Sequence, residues 1–499
     1  PVVVGAATAM QSYSINSGDV GRYTQRIVRD RCHRMKKLTP LLFCAIVSAM
    51  LVACQTTNHG AASPVVDARY EPQPYVKLEH PAWSRSATIY QVNTRQFSED
   101  GTFAAVQREL PRLKDLGVDI LWLMPIHPIG VQNRKGTLGS PYSVRDYFEV
   151  NPEFGTLDDL KALVNAAHEL DMYVILDWVA NHTAWDNPMR EEHPDWYERD
   201  YKGDFAPTPW WDWSDIIDLD YSQPGLRQYM TEAMKYWVRE ADIDGYRCDV
   251  AGFVPVDFWE NVRRELDEIK PVFMLAEWES RDLHAKAFDA TYAWSWYQTV
   301  YEIVNGHAAL DKLFVYYSWR ESAYPKEAFR LVGLSNHDVN AWEHTPMDAF
   351  GEAMDAVIVL SVVGDGIPMI YNGQEAGNDK QLAFFEKDPL EWREHPTGEL
   401  YRKLFALKKA NTALWNGQWG ATMVRVWNSA PDKVLSFVRE NENNKVFAMM
   451  NFSPVEQVVT FREGPFDGEY RDYFSGEPLA VSDDTALVIP PWGYRVLVH

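Results

Sequence analysis

Short apolar runs of strand length alternate with amphipathic helical patterns along most of the chain. In the first unit a strand at 87–92 precedes apolar residues at helical spacing over 103–116, and Gly117 separates these from a second strand. The predicted strands are 87–92, 118–125, 173–177, 243–250, 271–276, 288–292, 331–337 and 367–371. Eight strands alternating with helices predict an α/β fold, a (β/α)8 TIM barrel spanning residues 85–410.

Two further regions depart from this alternation. The connection between Asp177 and the helix near Pro224 is long and rich in Trp, Pro and Asp, which predicts a small lobe at about 182–222, inserted after strand 3. Beyond a helix near 399–409, alternating strands separated by Pro-Asp and Asn-rich turns predict a C-terminal antiparallel β-sandwich over residues 411–499.

The N-terminal region predicts export and a lipid anchor. Residues 1–34 are expected to lie upstream of the true start, and the basic start and apolar run of residues 35–53 form a signal peptide. The run ends in Leu-Val-Ala-Cys, which resembles a bacterial lipobox, so Cys54 is the expected lipidation site and residues 54–84 a tether. Gln55 favours the outer membrane of a Gram-negative cell, facing the periplasm or the surface. An uncleaved signal anchor is the alternative, although the run is short for a membrane span.

Composition limits which ligands the protein can bind and whether it can form disulfides. A formal net charge of −23 without a basic stripe argues against nucleic-acid binding. Cys32 and Cys44 precede the predicted cleavage point and Cys54 lies at it, so only Cys248 remains and no internal disulfide framework can form. The 20 Trp residues are either core residues or stacking platforms for a flat-faced ligand such as a sugar.

Three acidic residues stand where predicted strands end: Asp249, Glu277 and Asp338. In a parallel barrel the carboxyl ends of the strands face one pocket, so the three should converge. Arg247 precedes Asp249 by two residues and therefore points to the same side of its strand. Alone, this pair could be a structural salt bridge, but the company of two further acids favours a catalytic site.

These stretches resemble the four signature regions of the α-amylase superfamily of retaining glycoside hydrolases. The matching segments are 177–182, 245–250, 275–277 and 335–338, which occur in the family's order, and the similarity runs from about Thr88 to the C-terminus. The resemblance implies hydrolysis of α-glucosidic bonds in starch-derived maltooligosaccharides or related α-glucans, through a covalent glycosyl-enzyme.

The resemblance also implies a role for each acid. Asp249 matches the nucleophile, Glu277 the general acid/base and Asp338 a third carboxylate that binds sugar hydroxyls. A retaining mechanism needs one ionised and one protonated carboxyl group, about 5–5.5 Å apart. Arg247 is expected to hold Asp249 ionised and aimed, because an adjacent cation favours the charged form.

Further motif residues are expected to bind substrate: Arg247, His182, His337, Tyr142, Asp177 and Trp278. His182 and His337 match residues that hydrogen-bond sugar hydroxyls, and Tyr142 matches a tyrosine that stacks on the reacting sugar, with Tyr147 as the alternative. Trp278, directly after the acid, could form the next subsite.

Asn181 matches a position that binds calcium in many members of the family. This chain carries Gly252-Phe253 where calcium-dependent members commonly have Lys-His, so Asn181 could instead hydrogen-bond the lobe. No cofactor is required by the expected chemistry, and a structural calcium stays open. Val250 does not settle which glucosidic linkage is cleaved.

Two alternatives to hydrolysis follow from the same residues. The glycosyl-enzyme could be intercepted by a sugar, which would make the protein an α-glucan transglycosylase. A non-catalytic glycan-binding protein is the other alternative, and it would be expected to have lost an acid or Arg247; all are present.

Overall fold

The structure is a computed structural model that describes residues 68–499. Residues 75–499 belong to one compact unit, and the described residues before it include a short 3-10 helix, Ala68–Tyr70. The predictions for residues 1–34, the signal peptide at 35–53, Cys32, Cys44 and the lipidation site Cys54 lie outside the described residues. Between residues 68 and 499, no helix has both the length and the apolar character needed to cross a membrane.

A closed barrel of parallel strands forms the centre of the molecule, as predicted. The strands up to residue 371 are β1 (Ile89–Val92), β2 (Ile120–Leu123), β3 (Tyr173–Trp178), β4 (His182–Ala184), β5 (Ile216–Asp218), β6 (Gly245–Cys248), β7 (Phe273–Ala276), β8 (Ala290–Tyr292), β9 (Phe329–Gly333) and β10 (Ile367–Tyr371). The barrel order is β1-β10-β9-β8-β7-β6-β3-β2. Strands β4 and β5 pair with each other in the inserted lobe, antiparallel, with His182 opposite Asp218.

Helices surround the barrel and bury their apolar faces against it, except the short helix between β4 and β5, which belongs to the inserted lobe. They are α1 (Thr94–Phe97), α2 (Phe103–Leu116), α3 (Leu157–His168), α4 (Met189–Glu192), α5 (Pro224–Glu240), α6 (Val256–Asp267), α7 (Trp294–Val304), α8 (Asp311–Ala323), α9 (Pro346–Phe350), α10 (Met354–Val363) and α11 (Pro396–Ala410). The ends follow local chemistry. Thr156 and Asp159 form a reciprocal capping box at the start of α3, and Gly117 ends α2 in the left-handed conformation at φ 100°.

The β6 strand approaches its neighbour so closely that only glycine fits at its first position. A Cβ on Gly245 would lie 1.9 Å from the carbonyl oxygen of Phe273 on β7. Gly245 also has φ 146°, a conformation that other residues rarely adopt. The glycine therefore lets β6 pair tightly with β7, which brings the residues after the two strands together.

The C-terminal domain is antiparallel, as predicted. Its strands are β11 (Met423–Arg425), β12 (Trp427–Asn428), β13 (Val434–Glu440), β14 (Lys445–Asn451), β15 (Gln457–Val459), β16 (Phe461–Arg462), β17 (Gly468–Asp472), β18 (Pro478–Val481), β19 (Leu487–Ile489) and β20 (Tyr494–Val498). A sheet of order β11-β13-β14-β20-β17-β18 lies beside two two-stranded sheets, β12-β16 and β15-β19. The run predicted as one strand near Val424 is split, because β11 pairs with β13 whereas β12 pairs with β16.

Candidate active site

Three acids follow three strands at the same end of the barrel. Asp249 comes directly after β6, Glu277 directly after β7 and Asp338 in the loop after β9. Between the first two the chain turns sharply: Val250 adopts the left-handed conformation at φ 34°, unfavourable for a β-branched residue. Its backbone N–H thereby donates to Oε2 of Glu277 at 2.8 Å, so the turn after Asp249 also positions Glu277.

One buried guanidinium connects the carboxylates. Nη1 of Arg247 donates to Oδ1 of Asp177 at 2.7 Å and to Oδ1 of Asp249 at 3.0 Å, and Nη2 lies 2.9 Å from Oε2 of Glu277. Nε donates to the hydroxyl of Tyr292 at 3.3 Å. The Arg247 side chain is fully buried, so this single cation faces three acids in a site from which water is largely excluded.

This excess of negative charge governs the protonation of Asp249. Burial and the nearby Glu277 carboxylate raise the pKa of Asp249 well above its usual value, and Arg247 offsets only part of the rise. Arg247 therefore acts in the predicted direction, favouring the ionised form, but it does not dominate. Asp249 and Glu277 thus lie against the same guanidinium, and the Glu277 carboxylate favours the protonated form of Asp249.

A chain of hydrogen bonds extends from Asp177 across the site. Oδ2 of Asp177 accepts from Nε1 of Trp122 at 2.9 Å and from the hydroxyl of Tyr142 at 3.0 Å. The Tyr142 oxygen lies 2.7 Å from Nε2 of His337, whose Nδ1 lies 2.7 Å from Nε2 of Gln91. With Tyr142 donating to Asp177, His337 carries its proton on Nε2 and accepts from Gln91, a neutral imidazole.

The two predicted histidines lie beside the acids. Nε2 of His182 is 4.0 Å from Oδ2 of Asp249, and Nε2 of His337 is 3.3 Å from Oδ2 of Asp338. Burial lowers the pKa of His182 to about 4 and, together with Arg247, that of His337 to about 3. Both imidazoles are thus neutral near pH 7 and suited to hydrogen-bonding hydroxyl groups.

Asp338 stands at the mouth of the site. Its side chain is 46% exposed, and Oδ1 of Asn336 holds its loop by accepting from the backbone N–H groups of Asp338 and Val339, each at 2.9 Å. The surrounding protein raises the pKa of Asp338 to about 6, whereas Arg247 and a hydrogen bond from Trp342 favour the ionised form. Asp338 is therefore poised to titrate in weakly acidic solution.

Tyr142, rather than Tyr147, is the tyrosine at the site. Its ring stacks on His337 at 5.2 Å between centroids, with an interplanar angle of 17°. Tyr147 is fully buried beneath the lobe, and its hydroxyl donates to the backbone carbonyls of Val179 and His182 at 2.8 and 2.9 Å. Tyr147 therefore supports the loop that carries His182.

Trp278 belongs to an aromatic cluster next to Glu277. Its ring centroid lies 5.2 Å from that of Phe253 and 6.0 Å from that of Trp294. A Cβ on Gly252 would lie 2.1 Å from the indole, so Gly252-Phe253 makes room for Trp278 and packs against it. Packing against Trp278 therefore explains why Gly252 and Phe253 stand at these positions.

Asn181 ties the lobe to the barrel. Its Nδ2 donates to Oδ1 of Asp218 at 3.1 Å, and the same oxygen accepts from the Thr208 hydroxyl at 2.6 Å. Among residues 68–499, no group of three or more His, Cys, Asp or Glu side chains could hold a metal ion. The amide nitrogen of Asn181 thus faces the carboxylate of Asp218 in the lobe.

Several residues complete the site without having been predicted from the sequence: the buried Gln91, Trp122 and Tyr292 and the partly buried Phe384. Gln91 was detectable as a polar residue inside the apolar strand β1. The others look like ordinary core or loop aromatics, and only the closure of the barrel brings them to the acids.

Comparisons with known proteins agree with this geometry. The family model described as the alpha-amylase catalytic domain matches residues 88–397, and the maltogenic amylase C-terminal domain matches residues 424–496. "Alpha-amylase MalA" of Haloarcula japonica is 28% identical in a 460-residue alignment that covers 87% of this chain and 65% of that protein. "Alpha-amylase 2" of Dictyoglomus thermophilum is 26% identical over 80% of this chain and 74% of its own length.

Solved structures show the same architecture. A noncanonic maltogenic alpha-amylase, AmyB from Thermotoga neapolitana, aligns with a TM-score of 0.76 and 32% identity over 83% of this chain and 98% of its own. An alpha-amylase from Lactobacillus plantarum aligns with a TM-score of 0.75 and 32% identity over 84% of this chain and 99% of its own.

Proposed function

The chain belongs to the alpha-amylase family, and we propose that it is a retaining hydrolase that cleaves α-glucosidic bonds in maltooligosaccharides or related α-glucans. The observation that carries the proposal is the contact of one buried guanidinium, that of Arg247, with both Asp249 and Glu277. Two carboxyl groups held side by side against one cation can supply the nucleophile and the acid/base that double displacement requires.

In this reaction Asp249 attacks the anomeric carbon and Glu277 protonates the oxygen of the departing sugar. Arg247 steadies the negative charge of whichever carboxyl group is ionised. Glu277 then removes a proton from water, which attacks the glycosyl-enzyme and releases Asp249. The backbone N–H of Val250 holds the Glu277 carboxyl group, and the Arg247 guanidinium holds that of Asp249, before substrate binds. Because both groups are already positioned, the free-energy barrier to the transition state is lower.

The residues around the acids would hold the reacting sugar. Tyr142 offers a ring face, and the neutral His182 and His337 offer hydrogen bonds to hydroxyl groups. Asp338, partly exposed beside His337, would bind hydroxyls more tightly as the ring distorts, which is differential binding of the transition state.

The test is product analysis with the purified chain on maltooligosaccharides, pullulan and cyclodextrin, with Asp249→Asn alongside. The anomeric configuration of the first product, followed by proton NMR, should be α. Products longer than the substrate would assign a transglycosylase instead. Binding without turnover on all three substrates would leave a glycan-binding protein and overturn the proposal.

Beyond the reaction, we propose that the chain is a lipoprotein anchored through Cys54 to the outer membrane of a Gram-negative cell, facing the periplasm or the surface. The support is the lipobox-like sequence that ends at Cys54. Expression in a Gram-negative host with radiolabelled palmitate should label the protein, and Cys54→Ser should abolish the label. Labelling that survives in the variant would overturn the anchor.

We also propose that hydrogen bonds, rather than calcium, join the lobe to the barrel. Asn181 and Thr208 both bind Asp218, and burial raises the pKa of that carboxyl to about 6. The melting temperature should be the same in EDTA and in excess calcium. A calcium-dependent rise that Asn181→Ala removes would overturn this and establish a calcium site.

A further inference from the structure

Residues 130–139, here called the strap, form a loop that stands over the carboxyl end of the barrel between β2 and α3. Ile129 before the strap and Val144 after it pair in an antiparallel bridge. Inside the strap, Arg134 donates to the carbonyl oxygens of Ile129 and Gly130 at 3.0 and 2.7 Å. Arg95 donates to the carbonyl of Gly139 at 2.9 Å. The strap is thus a braced loop with its own internal hydrogen bonds.

On one side the strap is attached to the inserted lobe. Nζ of Lys135 donates to the backbone carbonyl of Asp212 and lies 3.7 Å from Oδ1 of the buried Asp215. The next lobe residue after Asp212, Trp213, has its ring 5.8 Å from that of His182. This attachment therefore lies one residue from an aromatic side chain in contact with the site.

On the other side the strap is attached to the loop after β10. The backbone N–H of Thr137 donates to Oε1 of Glu386 at 2.8 Å, and that of Leu138 to the carbonyl of Phe385 at 3.1 Å. A Cβ on Gly136 would lie 2.4 Å from Cβ of Phe385, so the two segments are in direct contact. The neighbouring Phe384 lies parallel to Tyr142, with 6.3 Å between ring centroids.

The barrel order shows which side of the site the strap covers. It leaves β2 and reaches loops that follow β3 and β10, which lie on either side of the β1–β2 pair. The acid Glu277 and Trp278 follow β7, across the barrel from β1. An acid catalyst lies beside the departing sugar, so the strap is at the opposite, glycone side of the cleft.

We propose that the strap closes the glycone side, so that the enzyme releases a short product of one fixed length from the non-reducing end of maltooligosaccharides. This inference rests on the proposed hydrolase function. A loop held at both walls would close this end of the cleft, because a longer glycone would have to displace the contacts of Lys135 and Thr137.

The test is maltoheptaose labelled at its reducing end, with products separated by chromatography at initial rates. The wild-type chain should give one labelled fragment, shorter than the substrate by the length of the released product. Labelled fragments of several lengths at the earliest times would overturn the inference while leaving the hydrolase intact. Failure to hydrolyse any α-glucan would instead overturn the proposed function.

A variant that loses side-chain contacts of the strap on both sides gives a second test. In Lys135→Ala combined with Glu386→Ala, shorter labelled fragments should increase about tenfold, the scale of discrimination that a pocket wall supplies. Lys286→Ala removes a comparable surface pair with Glu260 at 2.9 Å, far from the strap, and should keep the wild-type pattern. A double variant that melts normally and still gives a single fragment would overturn the role of the strap.

Discussion

Two buried arginine–aspartate pairs lie at opposite ends of the same barrel. At the amino end, Nη1 of Arg263 donates to Oδ2 of Asp289 at 2.7 Å, directly before β8, and His80 lies 2.6 Å from the other oxygen. At the carboxyl end, Nη1 of Arg247 donates to Oδ1 of Asp249 at 3.0 Å. Asp289 is fully buried and Asp249 nearly so, yet their pKa values move in opposite directions.

The two pKa shifts differ because different charged groups surround the two aspartates. Burial opposes ionisation of Asp289, but Arg263 and His80 outweigh it and hold the pKa of that carboxyl below its usual value. Asp249 shares the Arg247 guanidinium with Glu277 and Asp177, so burial and the neighbouring negative charge raise its pKa. At Asp289 two basic groups offset the carboxylate, and the pair stabilises the fold; we call this pair balanced. At Asp249 one guanidinium faces three carboxylates, and this unbalanced pair has the raised pKa that is typical of a catalytic site.

The largest expected effect comes from removing the unbalanced carboxylate. Asp249→Asn should lower kcat by about 10⁴-fold, because the amide cannot form the glycosyl-enzyme. The exposed Asp257, paired with Arg227, supplies the matched control: Asp257→Asn should keep full activity. Initial rates on maltooligosaccharides measure both, and an active Asp249→Asn would remove Asp249 from the mechanism.

Removing the carboxylate of Asp289 should lower stability and leave activity nearly unchanged. Asp289→Asn removes the buried carboxylate partner of Arg263 and leaves the partly exposed Asp267 at 2.7 Å, so the free energy of unfolding should fall by about 3 kcal/mol. Activity per folded molecule should stay within about twofold, because Asp289 lies at the far end of the barrel. Urea unfolding and active-site titration separate the two quantities, and an unchanged midpoint would contradict the assignment of Asp289 to the fold.

The pH dependence of activity provides a smaller effect. The pKa of Asp338 is about 6 and that of Asp249 is also raised, and both carboxyl groups should be ionised in the free enzyme for catalysis. The value of kcat/KM should therefore fall as pH drops through about 6, approaching tenfold per pH unit. Circular dichroism across the same range controls for unfolding. A profile that stays flat down to about pH 5 would show that neither group has a raised pKa.

Much of the barrel and of its catalytic end could be predicted from the sequence. The alternating periods predict the barrel, and each acid after a strand predicts convergence at one end, because strand direction alone sets which ends meet. Arg247 and Asp249 share a strand face for the same reason. The balance of charge around each pair could not be predicted, since His80 and Asp289 are far apart in sequence and only closure of the barrel joins them.

Loops explain the remaining gap between sequence and structure. Lys135 and Glu386 carry no periodic signal, and their roles depend on which walls the strap touches. Asn181 matched a calcium position, but whether its amide oxygen or nitrogen faces Asp218 is a matter of side-chain orientation. Pattern predicts which element a residue belongs to, whereas contacts between loops depend on the fold as a whole.

The smallest expected effect is a change in melting temperature, and its direction should differ between Asp249→Asn and Asp289→Asn. A carboxyl group whose pKa is raised in the folded state binds protons more tightly than in the unfolded chain, so it costs stability above that pKa and the cost disappears as pH falls through it. Asp249→Asn should therefore raise the melting temperature near pH 7 by a few degrees, and the gain should shrink as pH falls from the raised pKa of Asp249 towards the ordinary aspartate range. Asp289→Asn, at a carboxyl group with a lowered pKa, should lower the melting temperature at neutral pH instead. Calorimetry of both variants over pH measures the two signs, and equal signs would show that charge balance does not distinguish the catalytic end of the barrel from the structural one.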